Sequence, residues 1–118
     1  MKTKQKTAQE CFHDFLRRML GEYAAELERC KQTTVVVGAR KEVAESIALA
    51  IHGWSIVAPA KLLASLSYRA NFLDIRISEI DGSPERKLLL IGRAMALREI
   101  AARIRSYADR RKKRACQS

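Results

Sequence analysis

The sequence predicts an all-α protein: a four-helix bundle-like domain that ends in a long antiparallel helical hairpin. Three observations lead there. Apolar residues recur at alternating steps of three and four along most of the 118 residues, the spacing that lines one face of a helix. Of the two prolines, Pro84 stands where a helix can start and Pro59 opens the strictest repeat. Asp81-Gly82 closes one repeat and Ser83-Pro84-Glu85 opens the next, and helices joined by so short a turn must fold back on each other. A chain of this length reads as a single helical domain over residues 1–118, able to bury roughly two-thirds of its unfolded surface. Residues 1–6 and 111–118 are polar and basic and are expected as disordered termini.

The first helix is expected over about Gln5 to Lys31. Phe12, Leu16, Met19, Tyr23, Leu27 and Cys30 fall on one face, with Asp14, Arg17, Arg18, Glu22, Glu28 and Arg29 mostly on the others. Gly21 weakens its middle by roughly 1 kcal/mol relative to alanine without outvoting the pattern. Thr33 to Val37 is a β-branched run, which disfavours helix through lost rotamer freedom. It is expected as a short strand or an extended linker. Val43, Ile47, Ala50, Ile51 and Trp54 then mark a second amphipathic helix, with His52-Gly53 as its stop.

The third helix runs from Pro59 through Leu63, Leu66, Ala70, Leu73, Ile77 and Ile80. Gly82 suits the left-handed backbone with which a helix often ends. Ser83, Pro84 and Glu85 suit a cap, a first helical position and the positive helix end respectively. The fourth helix carries Leu90, Ala94, Leu97, Ala101, Ile104 and Ala108 at the same spacing. An alternative α/β domain with a short sheet would use Thr33–Val37, Ser55–Ala58, Phe72–Ile80 and Lys87–Ile91 as strands. That arrangement would leave the capping signals at Ser83-Pro84 without a purpose. Gly92 either permits close approach of another helix or marks a kink.

Charge is distributed unevenly. Gly82 to Ser118 holds 11 Lys/Arg against three acids, net +8, whereas Met1 to Asp81 holds 12 against ten, net +2. A concentrated cationic segment predicts an anionic partner, most often nucleic acid. The candidate phosphate contacts are Arg98, Arg103 and Arg105 on the last helix and the cluster Arg110, Arg111, Lys112, Lys113 and Arg114. Arg40 and Lys41 widen the basic surface. Aromatic residues do not interleave with basic ones along the sequence, so no single-strand stacking platform is visible. A helix-turn-helix over Glu45 to Leu66 would put Pro59 inside its recognition helix. Contacts to phosphates and to nucleic-acid shape are therefore expected rather than base readout.

Other chemistry finds little footing. Gly38-Ala39-Arg40-Lys41 lacks the later Gly-Lys-Ser/Thr of a nucleotide-binding loop and reads as helix-start punctuation. Cys11 and His13 are two apart, which on a helix turns them about 200° from each other, and no second Cys/His pair completes a metal site. Three widely spaced cysteines suit the reducing cytoplasm, with Cys11 and Cys30 as small core residues. No signal-peptide core follows the basic start, and no run reaches the roughly 20 apolar residues of a membrane span. No catalytic constellation and no cofactor are expected.

These readings converge on a non-catalytic basic helical protein, cytoplasmic, that binds DNA or RNA or serves as an accessory subunit of a nucleoprotein complex. It is expected to form a homo-oligomer or join a larger assembly. The alternative is a protein–protein interaction module (an adaptor, inhibitor or chaperone) docking an acidic partner.

Overall fold

A computed structural model describes the backbone of residues 7–30, 34–53, 58–80 and 82–117, and the side chains of these apart from residues 52, 53 and 113–117. Four helices follow in order: α1 (Ala8–Glu28), α2 (Val35–Gly53), α3 (Pro59–Glu79) and α4 (Pro84–Gln117). No strand occurs among the described residues, so the sheet alternative fails. Phe72–Glu79 and Lys87–Ile91 lie inside α3 and α4, while residues 55–57 of the other proposed strand, and Trp54, lie outside the described residues.

Each helix starts for a local reason. Thr7 caps α1, its Oγ1 accepting the Glu10 N–H at 3.2 Å. Thr34 does the same for α2, accepting the Val37 N–H at 3.2 Å. This corrects the reading of the valine run: Val35, Val36 and Val37 form the first turn of α2 rather than a strand or linker, and Thr33 lies outside the described residues. The β-branched penalty is a few tenths of a kcal/mol per residue. A threonine cap contributes about 1 kcal/mol, and Val37 also packs against the core. Gly38 therefore lies inside the helix, its N–H donating to the Thr34 carbonyl at 3.0 Å, and does not mark the helix start. Pro59 opens α3 and Pro84 opens α4, separated by Gly82 at φ +112°.

Cross-helix partners give the directions. Lys41 and Arg40, early in α2, meet Glu28 and Tyr23, late in α1. Asp74 of α3 meets Arg98 of α4, and Phe15 and Glu26 of α1 meet Tyr107 and Arg103 of α4. Consecutive helices thus alternate in direction. The molecule measures 61 × 28 × 28 Å, and α4, with 34 residues, is about 51 Å long. It runs on past Ala108, the last residue of the apolar spacing, to Gln117. Residues 111–117 are thus helical in backbone where a disordered terminus was expected, and residues 1–6 lie outside the described residues.

The core is continuous and apolar. Phe12, Leu16, Leu20, Tyr23, Ile51, Leu66, Leu97, Ile100 and Ile104 are almost wholly enclosed. Burying such a side chain stabilises the fold by about 1.5–3 kcal/mol. The α1 face is wider than the predicted stripe, taking in Phe15 and Leu20, while Leu62 of α3 is more buried than Leu63. In α4, Ala96 and Ile100 add a second buried line beside Leu97, Ala101 and Ile104, because α4 packs against both α3 and α2. At Gly92, α4 packs closely against α2: an added Cβ would stand 2.7 Å from the Val36 carbonyl oxygen. Cys11 is only half-buried and Cys30 is exposed, so neither is the enclosed core residue expected. The Cys30 thiol donates to the Glu26 carbonyl at 3.7 Å. Among the described residues, no helix is long and apolar enough to cross a membrane.

Candidate nucleic-acid interface

Helix packing divides the predicted contact residues into two sets. The first set ties helices together. Arg40 reaches across from α2, its Nη2 bonding Glu99 Oε2 at 2.7 Å and its Nε donating to the Tyr23 hydroxyl at 3.3 Å. Beside it, Arg103 of α4 bonds Glu26 at 2.7 Å and lies 4.9 Å from the Tyr23 ring centroid. Tyr23 is thus gripped by two guanidinium groups from different helices. Burial pushes its phenol up from the ordinary value, Arg40 pulls it down, and Glu99 reinforces the rise. Desolvation works against the Arg40 charge, but the bonds to Tyr23 and Glu99 outweigh it and raise its pKa.

The other two members of this set lie nearer solvent. Lys41 meets Glu28 at 2.8 Å and Glu45 at 3.9 Å. Its hydrogen bond and charge hold the Glu28 carboxyl below the usual range. Arg98 forms a two-bond fork with Asp74 across the α3–α4 hairpin, which lowers the Asp74 pKa and raises that of Arg98. Arg40, Lys41, Arg98 and Arg103 therefore already face carboxylates, and an arriving phosphate would have to compete with them.

The second set lies at the end of the bundle formed by the start of α1, the start of α3 and the last turns of α4. Arg105, Arg110, Arg111 and Lys112 have no carboxylate partner among the described residues; Arg110 Nε donates only to the Ser106 carbonyl, at 3.4 Å. Arg111 lies 5.9 Å from the Tyr107 ring centroid. The side chains of Lys113 and Arg114 lie outside the described residues, on the same helix. Two further cations join them. Lys61 lines an open groove of about 830 Å³ together with Arg105, Arg111 and Lys112. Arg18 lines a smaller cleft of about 190 Å³ with Phe15, Tyr107, Arg110 and Arg111. Linear sequence offers no signal for either, since Arg18 and Lys61 are brought to α4 only by the bundle.

The floor of the groove is apolar. Phe12 of α1, Leu63 of α3 and Tyr107 and Ala108 of α4 line it, and Asp109 is the one acid among its lining residues. Tyr107 stacks on Phe15 with centroids 4.2 Å apart and tilts toward Phe12 at 5.8 Å. Aromatic and basic residues that are separate along the sequence thus interleave in space.

A different surface lies on α3. Tyr68, Phe72 and Ile75 form an outward stripe, 73%, 52% and 56% exposed, beside a cleft lined by Val43, Leu73, Leu97, Arg69 and Arg93. Among the described residues no three His, Cys, Asp or Glu side chains are grouped to hold a metal. Comparison with protein-family models, curated proteins and solved structures finds no match to this chain.

Proposed function

We propose that this protein is a non-catalytic nucleic-acid-binding subunit, whose unpaired cations at one end of the bundle contact phosphates. One observation carries the reading: of the predicted contact residues, Arg40, Lys41, Arg98 and Arg103 face carboxylates, whereas Arg105, Arg110, Arg111 and Lys112 have no carboxylate partner among the described residues and gather at one end of the bundle. A cation that neutralises a phosphate releases a counterion condensed on the nucleic acid, and that release makes the affinity salt-dependent. Lys61 and Arg18 extend the patch from two other helices, which gives it the shape of a surface rather than of a tail. As an accessory subunit, the protein would bring a rigid helical body to a nucleoprotein complex.

A mobility-shift titration with DNA and RNA oligonucleotides across salt concentrations tests this. Affinity should fall steeply as salt rises and should collapse when Arg110, Arg111 and Lys112 are changed to glutamine. A flat salt response, or unchanged binding by that variant, would overturn it.

A second reading rests on the α3 stripe. A contiguous exposed set of Tyr68, Phe72 and Ile75 is a protein-contact signature. Its flanking Arg69 and Arg76 have no ion pair among the described residues, which favours an acidic amphipathic partner helix. Self-association through the same stripe would make the protein a homo-oligomer. Sedimentation and partner capture with Phe72→Asp, in the presence of nuclease, separate this reading from the first.

A further inference from the structure

We infer that the ligand at this end of the bundle is single-stranded nucleic acid, with an unstacked base entering the groove over Tyr107 while the rim cations hold its phosphates. This rests on the reading that the unpaired cations meet nucleic acid, and adds which form is bound.

The argument turns on what lies between the cations. A duplex offers a protein phosphates, sugars and base edges, but keeps its base faces stacked inside. A convex basic surface satisfies it, and an apolar-floored concavity beneath the cations contributes nothing. A single strand carries both charge and free aromatic faces, and the surfaces that bind it combine a basic track with rings or guanidinium planes on which bases stack. Here Tyr107 lines both the groove containing Lys61, Arg105, Arg111 and Lys112 and the cleft containing Arg18 and Arg110. The ring therefore stands between two groups of cations instead of beside one. Phe15 backs it at 4.2 Å with the planes 15° apart, which holds its orientation before any ligand arrives. The Arg111 guanidinium, 5.9 Å from the ring centroid, supplies a second flat group. At about 830 Å³ the groove is in the range of sites that enclose small organic ligands, roughly 300–1,000 Å³. Charge complementarity selects a polyanion, and the apolar floor selects one with exposed rings.

The test compares a 20-nucleotide single strand with a duplex of the same length, each about that size by design to span the patch with excess, at low and high salt. Stacking does not depend on counterion release, so the single strand should retain binding at high salt after the duplex has lost it. Tyr107→Ala should weaken single-strand binding by about 5- to 150-fold, the range of one base–aromatic stack. Because Tyr107 also packs on Phe15 and Phe12, Tyr107→Leu is the second variant. It keeps an apolar contact with the core and removes the ring, and should weaken the single strand while leaving duplex binding unchanged. Tyr107→Trp should restore single-strand affinity. Duplex binding as tight as single-strand binding at every salt, with Tyr107→Leu matching wild type, would overturn the inference and leave the phosphate-contact proposal standing. Failure of both ligands to bind would overturn both.

Discussion

Gly92→Ala is the substitution whose consequence the bundle geometry defines most sharply. A Cβ at residue 92 would stand 2.7 Å from the Val36 carbonyl oxygen, 2.8 Å from the Ala39 Cβ and 3.1 Å from the Val36 Cα. Two of these atoms are backbone of α2 and cannot swing aside as a side-chain tip can, so one helix must shift. Forcing a methyl group into a packed interior costs about 1–3 kcal/mol. Replacing glycine by alanine within a helix contributes about 1 kcal/mol in the opposite direction. Gly21, also helical, has nothing within 4 Å of its added Cβ, so Gly21→Ala reports the propensity gain alone. Gly92→Ala should therefore be about 1–3 kcal/mol less stable than Gly21→Ala, a net loss of up to about 2 kcal/mol from wild type. Urea unfolding followed by far-ultraviolet circular dichroism measures this, with an unchanged m-value showing that stability alone moved. If Gly92→Ala stabilised the protein as much as Gly21→Ala, α2 and α4 would not approach at this point and the described packing would be wrong.

Three other outcomes follow from the same packing. Thr34→Ala should cost about 1 kcal/mol by removing the acceptor for the Val37 N–H, whereas Thr34→Asp should not; no loss in the alanine variant would mean that α2 starts elsewhere. Ile100 is fully enclosed and Leu49 is 74% exposed, so in denaturant unfolding Ile100→Ala should cost about 2–5 kcal/mol and Leu49→Ala within about 0.5 kcal/mol of nothing. Asp74 and Glu28 have lowered pKa values in the folded state. The unfolded chain therefore takes up protons first as pH falls. Their contribution is present above the unfolded value of about 4 and is lost as pH drops through the lowered folded values. Thermal unfolding across pH should show this acid decline, and Asp74→Asn with Glu28→Gln should flatten it.

How much was legible depended on how local each determinant was. The α3–α4 hairpin was readable because its signals lie together: Gly82 at φ +112°, then Pro84 at the next helix start. The valine run misled because β-branching is a weak local preference, and Thr34, itself β-branched, acts here as a cap. Leu20 and Phe15 fell off the predicted stripe because α1 is covered by two neighbours, widening its buried face. The site shows the same limit. The basic C-terminal segment was plain from composition, but Arg98, Arg103 and Arg40 find their carboxylates 24, 77 and 59 residues away. No periodicity reports such distances. The aromatic floor was hidden for the same reason, since Phe12, Phe15 and Tyr107 come from opposite ends of the sequence.

On the proposed function, packing rather than total charge selects the cations that would meet phosphate. Two double variants test it at equal net charge, each reducing the chain from +10 by the same amount: Arg105→Gln with Lys112→Gln, and Lys41→Gln with Arg98→Gln. The measurement is the slope of log affinity for a single-stranded oligonucleotide against log salt. The first pair should make the slope shallower by about 1.4, roughly 0.7 per lost phosphate contact, while the second should leave it close to wild type. Equal changes in both would show that the protein attracts nucleic acid by bulk charge alone, and the assignment of an interface to this end of the bundle would be wrong.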